Sequence, residues 1–189
     1  MSESRRGVKE TDVSSTRRDV ARFPITVRNS SGRVDRTAVR SVLGICLEAE
    51  SVQGDASIGL LFCGDRTMKE LNAQFRGKDK TTDVLSFPED PDPSSPVVAE
   101  SGPFLGDIAI SLPQCFRQAG EQSVDPGEEM VRLLVHGVLH LLGYDHIEME
   151  ERKQMEARER VCRRRARSRG LGPGMLVTSS RPGAREARR

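Results

Sequence analysis

The segment from Asp125 to His146, DPGEEMVRLLVHGVLHLLGYDH, restricts the fold more than any other part of the chain. Asp125 suits an N-cap, Pro126 suits the first helical position, and Glu128 stands three residues on in a capping-box arrangement. Met130, Leu133, Leu134, Val135, Val138, Leu139 and Leu142 then put apolar side chains nearly all round the helix until Gly143 ends it. A helix apolar on every side needs other elements around it. The segment predicts a buried central helix, and the remaining chain must cover it.

The covering elements are legible as short patterns. Phe23 to Asn29 reads as a strand with Ile25 and Val27 on one face, ended by the turn-forming NSSG. Asp35 caps a helix whose Ala38, Val39, Val42, Leu43 and Cys46 recur at helical spacing. Ala56–Cys63 is a second strand, and Asp65 caps a helix through Met68, Leu71, Asn72 and Phe75 to Gly77. Asp83–Pro88 and Leu105–Leu112 read as two more strands, separated by a Pro/Ser/acid-rich loop over 89–104. Helices are expected at about 113–122 and, with acids early and arginines late, at about 147–168. Four short strands among helices, without strict βαβ alternation, predict an α+β single domain. Its small mixed four-stranded sheet is packed with helices, and the functional site lies at the end of the buried helix.

Charged residues reach 31% against 35% apolar, which points to solvated ends around a smaller folded body. Residues 1–21 are expected to be a disordered extension, 22–169 the folded domain, and 170–189 a disordered basic tail. From 158 onward eleven arginines face Glu159 and Glu186, so the remainder of the +2 chain is net negative. An anionic substrate must therefore meet a local basic cluster or the tail. The scattered cysteines 46, 63, 115 and 162 read as reduced thiols, mostly in the core. No apolar run reaches membrane-spanning length, and the acid-bearing N-terminus lacks an apolar signal core, so a soluble, cytoplasmic protein is expected.

All three histidines fall within HGVLHLLGYDH, residues 136–146. His136 and His140 lie about 40° apart on one helix face, one turn above the other. A reversal at Gly143 brings His146 toward them. Three neutral imidazoles with a fourth position free form a catalytic type of zinc site. Two unpartnered imidazoles among leucines would cost on the order of a few kcal/mol each, which disfavours a purely structural role. The same spacing occurs in metzincin proteases, but there Glu follows the first histidine as general base, and here Gly137 does. Glycine transfers no proton, a contribution worth about 10²–10⁴-fold, so peptide hydrolysis is a poor fit.

The histidine segment resembles the H-G-x-L-H-L-x-G-Y-D-H signature of the YbeY family, bacterial metal-dependent endoribonucleases of rRNA maturation. LNAQFRGKDKTTDVLSFP (71–88) and LGDIAIS (105–111) resemble two further blocks of that family, in family order, over about residues 24–168. The resemblance implies one zinc ion on His136, His140 and His146, and makes Arg76 the basic residue important for activity. It also implies single-stranded RNA as substrate, 16S rRNA 3′-end processing, ribosome quality control, and association with the small ribosomal subunit and assembly GTPases. Independently, Arg76, Lys78 and Lys80 form a compact basic patch suited to phosphate, although a solvated helix end would look the same. Asp79 and Asp83 are candidates to pair with those cations, Asp107 and Asp145 to orient a ligand, and Tyr144 to pack. Two other functions fit parts of the pattern: a ribosome-assembly factor braced by structural zinc, and a zinc peptidase.

Overall fold

The computed structural model describes residues 25–29, 33–52, 56–89, 103–173 and 177–178. The expected extension over 1–21, most of the 89–104 loop and most of the 170–189 tail lie outside the described residues.

Helix α4, Pro126–Leu141, is the axis of the molecule. Asp125 Oδ1 accepts a hydrogen bond from Gly127 N at 2.7 Å, and Pro126 occupies the first turn, as the sequence predicts. Glu128, expected to fold back on the N-cap, accepts a hydrogen bond from Arg167 at 2.7 Å. Around α4 pack α1 (Arg36–Ala49), α3 (Leu112–Gln122) and α5 (Met149–Ser168), together with one face of a sheet. Met130, Leu133, Leu134, Val135, Val138 and Leu139 are buried, so the all-round apolar pattern is matched by an all-round covering.

Strands β1 (Ile25–Asn29), β3 (Ser57–Cys63), β4 (Val84–Pro88) and β5 (Phe104–Ser111) form the sheet in the order β1-β3-β5-β4. The β1–β3 and β3–β5 pairs are parallel, whereas β4 runs antiparallel to β5. Strand alternation sorts the side chains. Ile58, Leu60, Phe62, Ile108 and Ile110 join the main core, whereas Cys63, Leu85 and Ala109 join Met68 of α2 (Asp65–Arg76) in a smaller cluster on the opposite face. The four cysteines are free thiols and all are buried.

The expected cap of α2 needs correction. Gly64, not Asp65, is the N-cap of α2. The Asp65 carboxylate is engaged across the fold instead, accepting from Ser111 Oγ at 2.9 Å and from both Arg117 terminal nitrogens at 2.8 Å. The Arg117 fork, with help from Ser111, holds that carboxyl below its usual range despite some burial. Beyond residue 169, only 170–173 and 177–178 are described. Leu171 is buried, and β6 (Val177–Thr178) pairs with β2 (Arg33–Val34).

Candidate metal centre and basic cleft

The histidine cluster is built by one helix and the turn that follows it. Leu142 caps α4, and Gly143, at φ +85°, takes the left-handed conformation that reverses the chain. Tyr144 N donates to Leu139 O at 3.0 Å and closes the turn. This brings His146 back over the helix, 5.6 Å from His136 and 5.1 Å from His140 between ring centres. The three rings offer nitrogens that all lie within 4.8 Å of one another.

Gly137 has a structural reason. A Cβ at that position would stand 2.9 Å from Ile108 Cγ2, so α4 rests so closely on β5 that a side chain there would force Ile108 or the helix to shift. Ser86 Oγ of β4 donates to the Gly137 carbonyl oxygen at 3.3 Å and pins the same turn to the sheet. The residue that removes the proteolytic base is thus the one that lets the helix reach the sheet.

The tautomer of His136 follows from its neighbour. Nδ1 is 2.8 Å from Glu159 Oε1 on α5. Burial opposes ionisation of Glu159, but the hydrogen bond from His136 and the nearby cations Arg132 and Arg163 help hold the carboxyl below its usual range. An ionised carboxylate only accepts, so Nδ1 carries the proton and Nε2 presents its lone pair to the cluster. His136 Nε2 and His140 Nε2 are 3.1 Å apart. Ligands about 2.0–2.1 Å from a tetrahedral ion stand about 3.3 Å apart, so this pair is already spaced to share one ion. Burial, then the charges of His136 and His146, depress the pKa of His140 and favour the neutral, ligand-competent ring.

The histidines line a cleft of about 820 Å³ whose other wall carries Arg76, Lys78 and Lys80. Gly77, at φ +65°, ends α2 and sends the chain along this wall. The buried Asn72 side chain fixes its course by donating to Lys80 O at 2.7 Å. Arg76 Nη2 donates to Ser86 O at 3.4 Å, while the side chain stays exposed along the cleft. The neighbouring acids have other partners: Asp79 pairs with Lys69 at 3.3 Å and Asp83 with Arg132 at 3.4 Å. Among the described residues, no ion pair engages Arg76, Lys78 or Lys80.

Asp107 does not line the cleft of the histidine cluster. It lies on the outer face of the sheet in a groove with Phe75, Phe87 and Phe104, opposite the face that Ile108 turns to α4. Asp145 accepts from its neighbour His146 N at 2.7 Å. Tyr144 does more than pack, because its hydroxyl donates to Glu50 Oε2 at 2.8 Å; that bond, first, and burial raise its pKa. Sequence reasoning missed Glu159, 23 residues beyond His136, because no local spacing links them. It also missed Arg132, one turn before His136 and part of the cleft lining. The i, i+4 placement of Arg132 was the available signal for it.

The family model described as endoribonuclease YbeY matches residues 25–166. An endoribonuclease YbeY from Desulforamulus reducens is 46% identical over 121 residues, covering 64% of this chain and 79% of that protein. One from Anaeromyxobacter sp. is 41% identical over 151 residues, covering 78% and 73%. A solution structure of a Thermotoga maritima protein is similar at a TM-score of 0.55 and 25% identity, covering 77% of this chain and 91% of the other.

Proposed function

The chain belongs to the YbeY endoribonuclease family, and on that premise we propose that it cuts single-stranded RNA with the help of one zinc ion held by His136, His140 and His146. The observation that carries this reading is that a single cleft is lined both by the three histidines and by the cations Arg76, Lys78 and Lys80. A phosphodiester needs both, a Lewis acid at one oxygen and fixed positive charge around the rest.

When bound, the ion supplies Lewis acidity toward a phosphoryl oxygen. The chain's own residues set up everything around it. Glu159 holds the His136 ring by its Nδ1–H, so that the ligand nitrogen does not rotate away. Arg76 donates paired hydrogen bonds to the phosphoryl oxygens and binds them more tightly as negative charge builds in the transition state. Lys78 and Lys80 neutralise flanking phosphates and keep the strand in the cleft. Gly137 transfers no proton, so the chemistry runs without the base that a peptidase places there.

We extend the proposal to a role in 16S rRNA 3′-end maturation and ribosome quality control in the cytoplasm, alongside the small ribosomal subunit and assembly GTPases. Among the described residues, no helix is long and apolar enough to cross a membrane. Metal analysis and cleavage of a single-stranded rRNA fragment, made on the same preparation, test the proposal. The protein should carry zinc and cleave, and His136→Ala should lose both. Cleavage that survives complete chelation would overturn the reading.

A further inference from the structure

Of the three histidines, His136 and His140 are fixed by α4, but His146 is the exposed one and sits on the coil between α4 and α5. A ligand on a coil is only as well placed as the coil itself. Two local bonds shape that coil: Tyr144 N to Leu139 O at 3.0 Å, and His146 N to Asp145 Oδ1 at 2.7 Å. Arg152 of α5 adds a bond to His146 O at 3.3 Å. These bonds tie the coil to its own flanking helices. Tyr144 reaches further. Its hydroxyl donates at 2.8 Å to the carboxylate of Glu50, the C-cap residue of α1, 94 residues earlier.

Glu50 is itself held. Its other oxygen accepts from Arg158 Nε at 2.8 Å, while Arg158 Nη2 donates to Ala49 O at 2.7 Å. The Glu50 side chain is only 8% exposed, so its orientation is determined by these partners rather than by water. The result is a rigid post, built from α1 and α5, against which the coil is fastened two residues before His146.

We propose that Tyr144 and Glu50 are positioning residues for the metal centre: their hydrogen bond holds the coil so that the His146 ring closes the three-nitrogen set. The inference rests on the reading that the three histidines hold zinc, and it adds a remote anchor to it. Partners that orient a ligand typically change metal affinity by about 10–100-fold when removed.

The test is a double-mutant cycle read as zinc affinity by competition with a chromogenic chelator, using the full chain. Tyr144→Phe removes the hydroxyl and little else. It should weaken zinc binding about tenfold. In a His146→Ala background the same substitution should change the remaining affinity less than twofold, because the ligand it positions is gone. Glu50→Gln, which keeps an acceptor oxygen, should weaken binding less than Tyr144→Phe. Equal losses from Tyr144→Phe in both backgrounds would assign the bond to general stability and overturn the proposal, as would an unchanged affinity in the single variant. If the unmutated protein binds no zinc that His136→Ala abolishes, the metal-site reading fails, and the anchor fails with it.

Discussion

The two walls of the cleft are built in opposite ways. The histidine wall grows from the most buried helix of the molecule, pressed against β5 at Gly137 and braced by Glu159 and Ser86. The basic wall stands at the exposed end of α2, on the far side of β4 and β5, where Gly77 and the Asn72 bond to Lys80 O give the chain its path. A metal needs ligand nitrogens fixed to fractions of an ångström, and a close-packed interior supplies that. A nucleic-acid backbone needs positive charge that remains available, and on the proposed reading the cations of the open wall, which have no ion pair among the described residues, would supply it. The contrast predicts that changes on one wall act through metal and packing, and on the other through affinity for the substrate.

The largest effects belong to the histidine wall. His136→Ala should lower zinc affinity by more than the 10–100-fold typical of an outer partner, measured by chelator competition. Gly137→Ala forces a Cβ against Ile108 and should cost about 1–3 kcal/mol in urea unfolding, with zinc affinity falling as the helix is pushed away. On the basic wall the stability costs are smaller. Asn72→Ala removes a buried hydrogen bond and should cost about 1 kcal/mol, together with weaker RNA binding but unchanged zinc affinity. Lys78→Ala should leave both metal and fold alone and make the slope of log affinity against log salt shallower by about one unit.

The smallest effect is one of pH. Burial and the neighbouring rings place the folded pKa of His140 below its unfolded value. Between the two values the unfolded chain binds more protons, so the metal-free protein should lose stability as pH falls from above about 6.5 toward the depressed folded value. Denaturation of chelator-treated protein across that window should show the slope, and His140→Gln should flatten it.

Much of this contrast was legible in the sequence because much of it is local. Helix α4, its N-cap and the Gly143 reversal are patterns within a few turns of chain, and they gather all three histidines into one short segment. The strands followed from their apolar alternation, and the same rule already separates Asp107 from Ile108: adjacent strand residues face opposite ways, so Asp107 could not join a site on the Ile108 side. Glu159, Glu50 and the Asn72–Lys80 bond were hidden for the converse reason. Each acts across a tertiary contact that no spacing encodes. Asp65 was misread as a cap because its type suits that role, whereas its actual partner, Arg117, lies 52 residues away.

The central claim is that the two walls are separate parts of one active site, and Arg76→Ala tests it most directly. Zinc content and the rate of single-stranded rRNA cleavage should be measured on the same preparation, beside the unmutated protein. The account predicts full zinc occupancy with cleavage slowed by about 10²–10³-fold, the cost of removing one transition-state donor. Unchanged cleavage, or loss of zinc along with activity, would contradict it.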